Sequence, residues 1–181
     1  AIKNCGKLIV AADSGELERL DTLYRRGVEN GIPVERVSEA RAAEIEPLAF
    51  TVKEAIWSPN TSVIHISDVT QAICEDLEEL GVRIYYANKL ERIDADSQVL
   101  TLQNGSQISF EFFINCAGAY ADQIANHFGV GREFTLLPFK GLYRSLSQEV
   151  SSQLRALIYP TPDPEFPFLG VHTNMTFSDT S

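Results

Sequence analysis

Apolar residues recur with two different periods along this chain, and the two periods together predict a mixed α/β fold. Apolar residues at helical spacing predict helices at 17–28 and 69–80, and a shorter helix is expected between them. The residues expected to begin or end these three helices are Ser14, Asn30, Ser38, Pro47, Ser67 and Gly81. Short runs that predict strands occupy 7–11, 55–58, 82–86 and 157–159, and a brief extended piece is predicted at 34–37.

The most informative stretch is a predicted strand, turn and helix at 111–127. The apolar run 111–114 predicts a buried strand, the small residues Ala117 and Gly118 predict a tight turn, and 119–127 predicts a helix. Small residues at such a turn let backbone N–H groups approach a ligand, and a helix start favours negative charge. The same pattern also suits an ordinary strand-to-helix connection, so both interpretations stay open.

The rest of the chain is rich in predicted β-structure. Runs at 90–93, 98–102 and 107–110 predict a β-meander with Asn104-Gly105 as a hairpin turn. Further strands are predicted within 134–146 and at 168–172. The polar tail at 173–181 is expected to fray.

Composition narrows the class of partner. The 181 residues carry a net charge of −10, which argues against nucleic acid because binding to phosphates needs a basic face. No apolar run is long enough to cross a bilayer, and the first residues lack the layout of a secretory signal. Cys5, Cys74 and Cys116 lie far apart without a metal-ligand pattern, so we expect reduced thiols and no metal. A cytoplasmic location is expected, with peripheral contact to a membrane left open.

Two groups of residues could carry chemistry. His172 follows a predicted strand in which Gly170 permits close approach, and an imidazole can accept or hold a proton near neutral pH. A histidine with one structural hydrogen bond explains the same pattern. Lys140 and Arg144 flank Tyr143 in another predicted strand and could bind a carboxylate, although solvated strand charges explain them equally well. These residues do not make a complete active site, and the chain has no GxGxxG motif.

With these residues in view, the chain resembles the FAD-dependent oxidoreductases of the D-amino-acid oxidase superfamily. Within that superfamily it is similar to the L-2-hydroxyglutarate oxidase/dehydrogenase branch. The matching stretches occur in family order and cover nearly the whole chain: 5–11, 44–47, 57–61, 115–122, 137–143, 158–164 and 166–172.

The resemblance implies a domain organisation. Family members begin with a GxGxxG strand-turn-helix unit that this chain lacks, so an internal fragment is expected. The implied parts are 1–65 and 131–181 from a mixed-sheet substrate domain and 66–130 from a Rossmann-like FAD domain. FAD is expected in the complete protein but not to be retained by this chain. Apolar surfaces exposed by truncation are expected to favour self-association.

The resemblance also implies residue roles. Ala117 and Gly118 would lie against the flavin's phosphate or ribitol. Leu90 would lie at the position where the family's backbone binds the adenine. Lys140 and Tyr143 would line the substrate side, with Lys140 in place of a usual arginine, and His172 would lie near the flavin ring.

The implied reaction is the oxidation of a small carboxylate substrate, a 2-hydroxyglutarate-like 2-hydroxy acid, to the 2-oxo acid by hydride transfer to flavin. His172 would take the hydroxyl proton and Lys140 would hold a carboxylate. Two alternatives stay open. One is a glycerol-3-phosphate dehydrogenase-like or amino-acid/amine oxidase of the same superfamily, and the other is a non-catalytic binding module.

Overall fold

The computed structural model of the chain describes residues 2–166 and 168–176. The predicted fraying of the tail lies partly outside these residues, at 177–181. The described residues form nine strands and five α-helices. In chain order these are β1 Ile2–Asn4, β2 Lys7–Val10, α1 Leu17–Glu29, β3 Glu35–Ser38, α2 Glu39–Ile45, β4 Glu54–Ser58, β5 Ser62–Ile64, α3 Ile66–Glu79, β6 Leu90–Asp94, β7 Val99–Leu102, β8 Gln107–Ser109, α4 Ala121–His127, α5 Gln148–Ser151 and β9 Leu157–Pro160.

The chain divides into two compact units. The larger unit joins Ala1–Asp76 with Ser145–Ser181, and the smaller unit is Leu77–Arg144. The ranges 1–65, 66–130 and 131–181 as substrate-domain and FAD-domain parts stay a prediction, because the division rests on compactness alone.

A mixed four-stranded sheet organises the larger unit. The strand order is β3-β4-β2-β9, with β2 antiparallel to β4 and parallel to β9. Leu8 and Val10 of β2 pack with Ala42 of α2 on one side, and Ile56 of β4 packs with Leu20 of α1 on the other. Successive side chains of β2 therefore point into two separate apolar clusters, one on each face of the sheet, as expected for a strand buried on both faces.

A buried carboxylate ties the end of α2 to the start of β9. Glu46 is 0% exposed, and its Oε1 accepts a hydrogen bond from Leu48 N at 3.0 Å. Its Oε2 accepts from Arg155 N at 2.6 Å and from Ala156 N at 2.9 Å. Three backbone donors thus satisfy a group that would be costly to bury alone, and they join segments more than a hundred residues apart in sequence.

The smaller unit contains the predicted meander, which is confirmed. Strands β6, β7 and β8 are consecutive antiparallel neighbours, with Asn104-Gly105 between the last two. Helix α4 packs against β6. Three aromatic rings form a cluster beside the meander, with Phe113 5.7 Å from Phe110 and 5.2 Å from Phe128 between centroids.

Four predicted strands are wrong: the ranges 82–86, 111–114, 134–146 and 168–172 form no regular strand within the described residues. Phe112, expected in a buried strand, is 89% exposed. An apolar run marks residues able to join a sheet, but a strand also needs a neighbour to satisfy its N–H and C=O groups. Within the described residues, no strand of the three sheets pairs with any of these four segments.

Two predicted helix starts are also wrong, while a third is confirmed. Asp13, not Ser14, accepts hydrogen bonds from the first free N–H groups before α1. Ser67 lies inside α3, which begins at Ile66. Ser38 caps α2 as expected, because its hydroxyl oxygen accepts from Arg41 N at 3.3 Å.

Candidate active site

The segment that carries His172 is anchored along β9 although it is not a strand. Thr173 N donates to Ile158 O at 2.9 Å, and Ile158 N donates to Thr173 Oγ1 at 3.1 Å. A Cβ at Gly170 would lie only 2.7 Å from Pro160 Cγ, so a glycine is required for this close approach. The predicted role of Gly170 in bringing the backbone close is therefore confirmed without the predicted strand.

The imidazole of His172 is oriented by two contacts. Its Nδ1 lies 2.8 Å from Gly170 O, and because a carbonyl oxygen can only accept, Nδ1 carries the proton and donates. In the neutral ring this leaves the Nε2 lone pair free to accept a proton. The ring also packs on Tyr159, with centroids 4.6 Å apart and planes tilted by 33°.

Tyr159 connects His172 to two residues that the sequence analysis did not identify as functional. Its hydroxyl donates to Asn174 Oδ1 at 2.7 Å, which fixes the ring orientation. Lys7 Nζ lies 5.3 Å from the centroid of the same ring. The signal for Lys7 was present in the sequence, since a lysine opens an otherwise apolar strand. Its proximity to His172 arises from the parallel pairing of β2 with β9, which no local pattern indicates.

The turn at Ala117 and Gly118 lies in the smaller unit, before α4. Asn115 shapes it: its Oδ1 accepts from Ala117 N at 3.2 Å, and its Nδ2 donates to Ala121 O at 2.8 Å. Gly118 has φ +54, and apart from its two chain neighbours no described residue has an atom within 4 Å of the position where a Cβ would be. The backbone at this turn is therefore open to an approaching group. Leu90 begins β6, the strand against which α4 packs.

Lys140 and Tyr143 lie in the segment 134–146, which has no regular structure, so the predicted alternation of strand faces does not apply. Both side chains are exposed. A Cβ at Gly141 would lie 3.1 Å from the Tyr143 ring, so the ring folds back over its own segment. Lys140 and Tyr143 belong to the smaller unit and His172 to the larger one.

The part of the chain that the structure describes contains no group of three or more His, Cys, Asp or Glu side chains able to hold a metal ion. No described helix has both the length and the apolar character needed to span a bilayer.

Comparison with known proteins identifies relatives along the whole chain. A family model described as DAO, FAD dependent oxidoreductase, matches residues 1–180. The chain is 38% identical over 178 residues to a mitochondrial L-2-hydroxyglutarate dehydrogenase from Caenorhabditis briggsae, covering 94% of this chain and 41% of the relative. The L-2-hydroxyglutarate dehydrogenase from Escherichia coli K12 is 33% identical over 171 residues, covering 93% and 40%. The mitochondrial human protein of that name is 32% identical over 184 residues, covering 94% and 40%.

Solved structures share the fold at lower identity. The L-proline dehydrogenase from P. horikoshii superposes with a TM-score of 0.70 at 18% identity, covering 88% of this chain and 44% of that one. The glycine oxidase from Bacillus cereus gives 0.68 at 19% identity with the same coverage. The chain thus spans about two fifths of the length of the curated relatives it matches.

Proposed function

Because the chain belongs to the family of FAD-dependent oxidoreductases, we propose that the complete protein containing it oxidises a 2-hydroxy acid of the L-2-hydroxyglutarate type to the 2-oxo acid. The observation that carries the proposal is the identity of 32–38% to proteins named L-2-hydroxyglutarate dehydrogenase along nearly the whole chain. The fold alone supports only the broader class, since its structural neighbours include a proline dehydrogenase and a glycine oxidase.

His172 is the proposed base. Oxidation of a 2-hydroxy acid removes the hydrogen on C2 with its electron pair and removes the hydroxyl proton, which leaves a carbonyl. FAD, when bound, supplies the acceptor for the hydride. Nε2 of His172 takes the proton, because Nδ1 is already committed as a donor to Gly170 O. Packing on Tyr159 holds the ring in place for this transfer.

Other residues are proposed to hold the cofactor and the substrate. Ala117 and Gly118 would lie against the flavin's phosphate or ribitol, in support of which the turn leaves its backbone open. Leu90 would offer backbone groups to the adenine. Lys140 would pair with a substrate carboxylate and Tyr143 would line the same side, and both side chains are exposed and available in this structure.

Two properties of this chain by itself complete the proposal. It does not retain FAD tightly, since it lacks the GxGxxG turn that binds the pyrophosphate, and a flavin spectrum of the purified chain would contradict this. It self-associates through exposed apolar side chains such as Phe112 and Leu142. Sedimentation at increasing concentration tests the association, and a monomer throughout would contradict it.

The decisive test of the function is dye reduction by the complete FAD-loaded protein across a panel of substrates. We expect turnover with L-2-hydroxyglutarate and much slower turnover with its D-enantiomer, glycerol 3-phosphate, proline and glycine. Faster turnover of an amino acid or of glycerol 3-phosphate would show that the proposed substrate is wrong. Absence of turnover with every substrate would favour a non-catalytic binding module.

A further inference from the structure

Lys7 is a cation without a carboxylate partner in the larger unit. Within the described residues its ammonium group contacts the Tyr159 ring, and no ion pair with Asp or Glu is formed. Several arginines of the same unit do pair with carboxylates: Arg19, Arg25, Arg36 and Arg41. In a chain with 25 acidic and 15 basic residues, an unpaired, partly buried lysine is available for an external anion.

The space beside Lys7 is suited to an anion. An open cavity of about 590 Å³ lies between the first residues of β2 and the second half of α1. Lys7 and Arg26 line it as cations, Ser58 and Asn30 add hydrogen-bonding groups, and no Asp or Glu side chain contributes to its lining. The local charge of this cavity is thus opposite to the net charge of the chain, which favours binding of a small anion there.

The pairing of β2 with β9 brings this cation towards His172. Ile9, two residues after Lys7, pairs in register with Tyr159, so the Lys7 and Tyr159 side chains leave the sheet on the same face. We propose that Lys7 binds the distal carboxylate of the substrate while His172 takes the proton from its hydroxyl. This inference rests on the proposed function and deepens it, because it makes the preferred substrate a dicarboxylic 2-hydroxy acid.

The distances suit a five-carbon dicarboxylate. Lys7 Nζ lies 5.3 Å from the Tyr159 centroid, which lies 4.6 Å from the His172 centroid, so ammonium and imidazole are at most about 10 Å apart. A hydroxyl and a carboxylate joined by three C–C bonds of about 1.5 Å, with a hydrogen bond of about 2.8 Å at each end, reach roughly that far. A monocarboxylic 2-hydroxy acid leaves Lys7 without its anion.

The test is steady-state kinetics of the complete FAD-loaded protein with Lys7→Met. We expect KM for L-2-hydroxyglutarate to rise about 10–100-fold while kcat changes less than about 3-fold, since Lys7 binds substrate away from the reacting atoms. Lys7→Arg should recover most of the lost affinity. For 2-hydroxybutyrate, which lacks the distal carboxylate, Lys7→Met and the wild type should have equal kcat/KM. The matched control is Lys3→Met, because Lys3 is an exposed lysine on β1, the strand that precedes β2 in sequence.

Failure of this inference can be told apart from failure of the proposed function. If the wild type oxidises L-2-hydroxyglutarate and Lys7→Met leaves KM unchanged, Lys7 does not bind the carboxylate and the function stands. If the wild type does not oxidise this substrate, the proposed function is wrong. Binding of glutarate to this chain then tests separately whether Lys7 binds a carboxylate. Glutarate should then shift the NMR signals of the Tyr159 and His172 rings in the wild type but not in Lys7→Met. Absence of a shift in the wild type would overturn the inference.

Discussion

The two units of this chain differ in how many apolar and polar side chains they bury. In the described part of the chain, the larger unit contains all but two of the buried apolar side chains, the exceptions being Ile93 and Leu102. The buried polar side chains of that part also lie in the larger unit, and Glu46 is the fullest example. Both units expose large apolar side chains, with Val171 at 98% in the larger and Phe112 at 89% and Leu142 at 86% in the smaller, but only the larger unit also has an extensive buried core.

This difference shows which structure a short sequence pattern can specify by itself and which structure needs partners from distant parts of the chain. In the larger unit, strands distant in sequence meet, and β2 acquires neighbours on both edges. In the smaller unit, the meander forms because its strands are consecutive, whereas the apolar runs around it form no strand among the described residues. The candidate base His172 lies in the unit with the more complete packing, where its orientation is fixed.

The largest effect on stability is expected at Glu46. Glu46→Ala would leave one buried and two part-buried backbone N–H groups without an acceptor, at about 1–3 kcal/mol each, so the free energy of unfolding should fall by about 4 kcal/mol. Urea denaturation followed by circular dichroism measures this change. Glu44→Ala is the matched control two residues away, since its exposed side chain pairs with Arg41, and it should cost less than about 0.5 kcal/mol. Equal costs would show that the buried carboxylate is not a structural link.

A pair of identical substitutions compares the units directly. Leu8→Ala removes a side chain that is 0% exposed and should cost about 3 kcal/mol through lost burial and the cavity left behind. Leu142→Ala removes one that is 86% exposed and should change the free energy of unfolding by less than about 0.5 kcal/mol. The same denaturation experiment measures both at a low chain concentration. A large loss of unfolding free energy for Leu142→Ala would mean that this side chain is buried in solution. That result would contradict the stated difference between the two units.

The smallest expected effect concerns two exposed carboxyl groups, one in each unit. The hydrogen bond from Arg36 lowers the pKa of Asp21 below its ordinary value, and Arg25 adds to this effect. In the smaller unit, the hydrogen bond from the backbone N–H of Ser97 lowers the pKa of Asp94. A lowered pKa in the folded state gives stability that is fully present above the unfolded value of about 3.9 and is lost as the pH falls through the folded value.

An NMR titration of the carboxyl carbons tests this assignment. Arg36→Gln should raise the pKa of Asp21 towards its ordinary value and leave that of Asp94 unchanged, because Asp94 depends on a local turn. It should also make the stability of the larger unit less sensitive to acid below about pH 4. A change at Asp94, or none at Asp21, would contradict the proposed causes.

The predictable parts of this protein were those encoded locally. The meander around Asn104-Gly105 and the cap at Ser38 follow from a few adjacent residues, and both predictions are confirmed. The strands expected at 111–114 and 134–146 failed because a strand depends on a partner that an apolar run does not identify. The environment of His172 depends on β9 pairing in parallel with β2, so the proximity of Lys7 could not be read from spacing.

The family followed from several short stretches in a fixed order, which a single motif could not have indicated. The roles of Leu90, Ala117, Gly118, Lys140 and Tyr143 came from that resemblance and stay predictions. Their local geometry shows an open turn at Gly118 and exposed side chains at Lys140 and Tyr143.

The most direct test of the central claim, that His172 is the base, is the turnover of L-2-hydroxyglutarate by the complete FAD-loaded protein carrying His172→Asn. Loss of a positioned base should lower kcat by about 10²–10⁴-fold while the bound flavin keeps its absorption spectrum. His127→Asn, at the end of α4 in the smaller unit, should leave kcat unchanged and serves as the control. Turnover by His172→Asn at the wild-type rate would contradict the account.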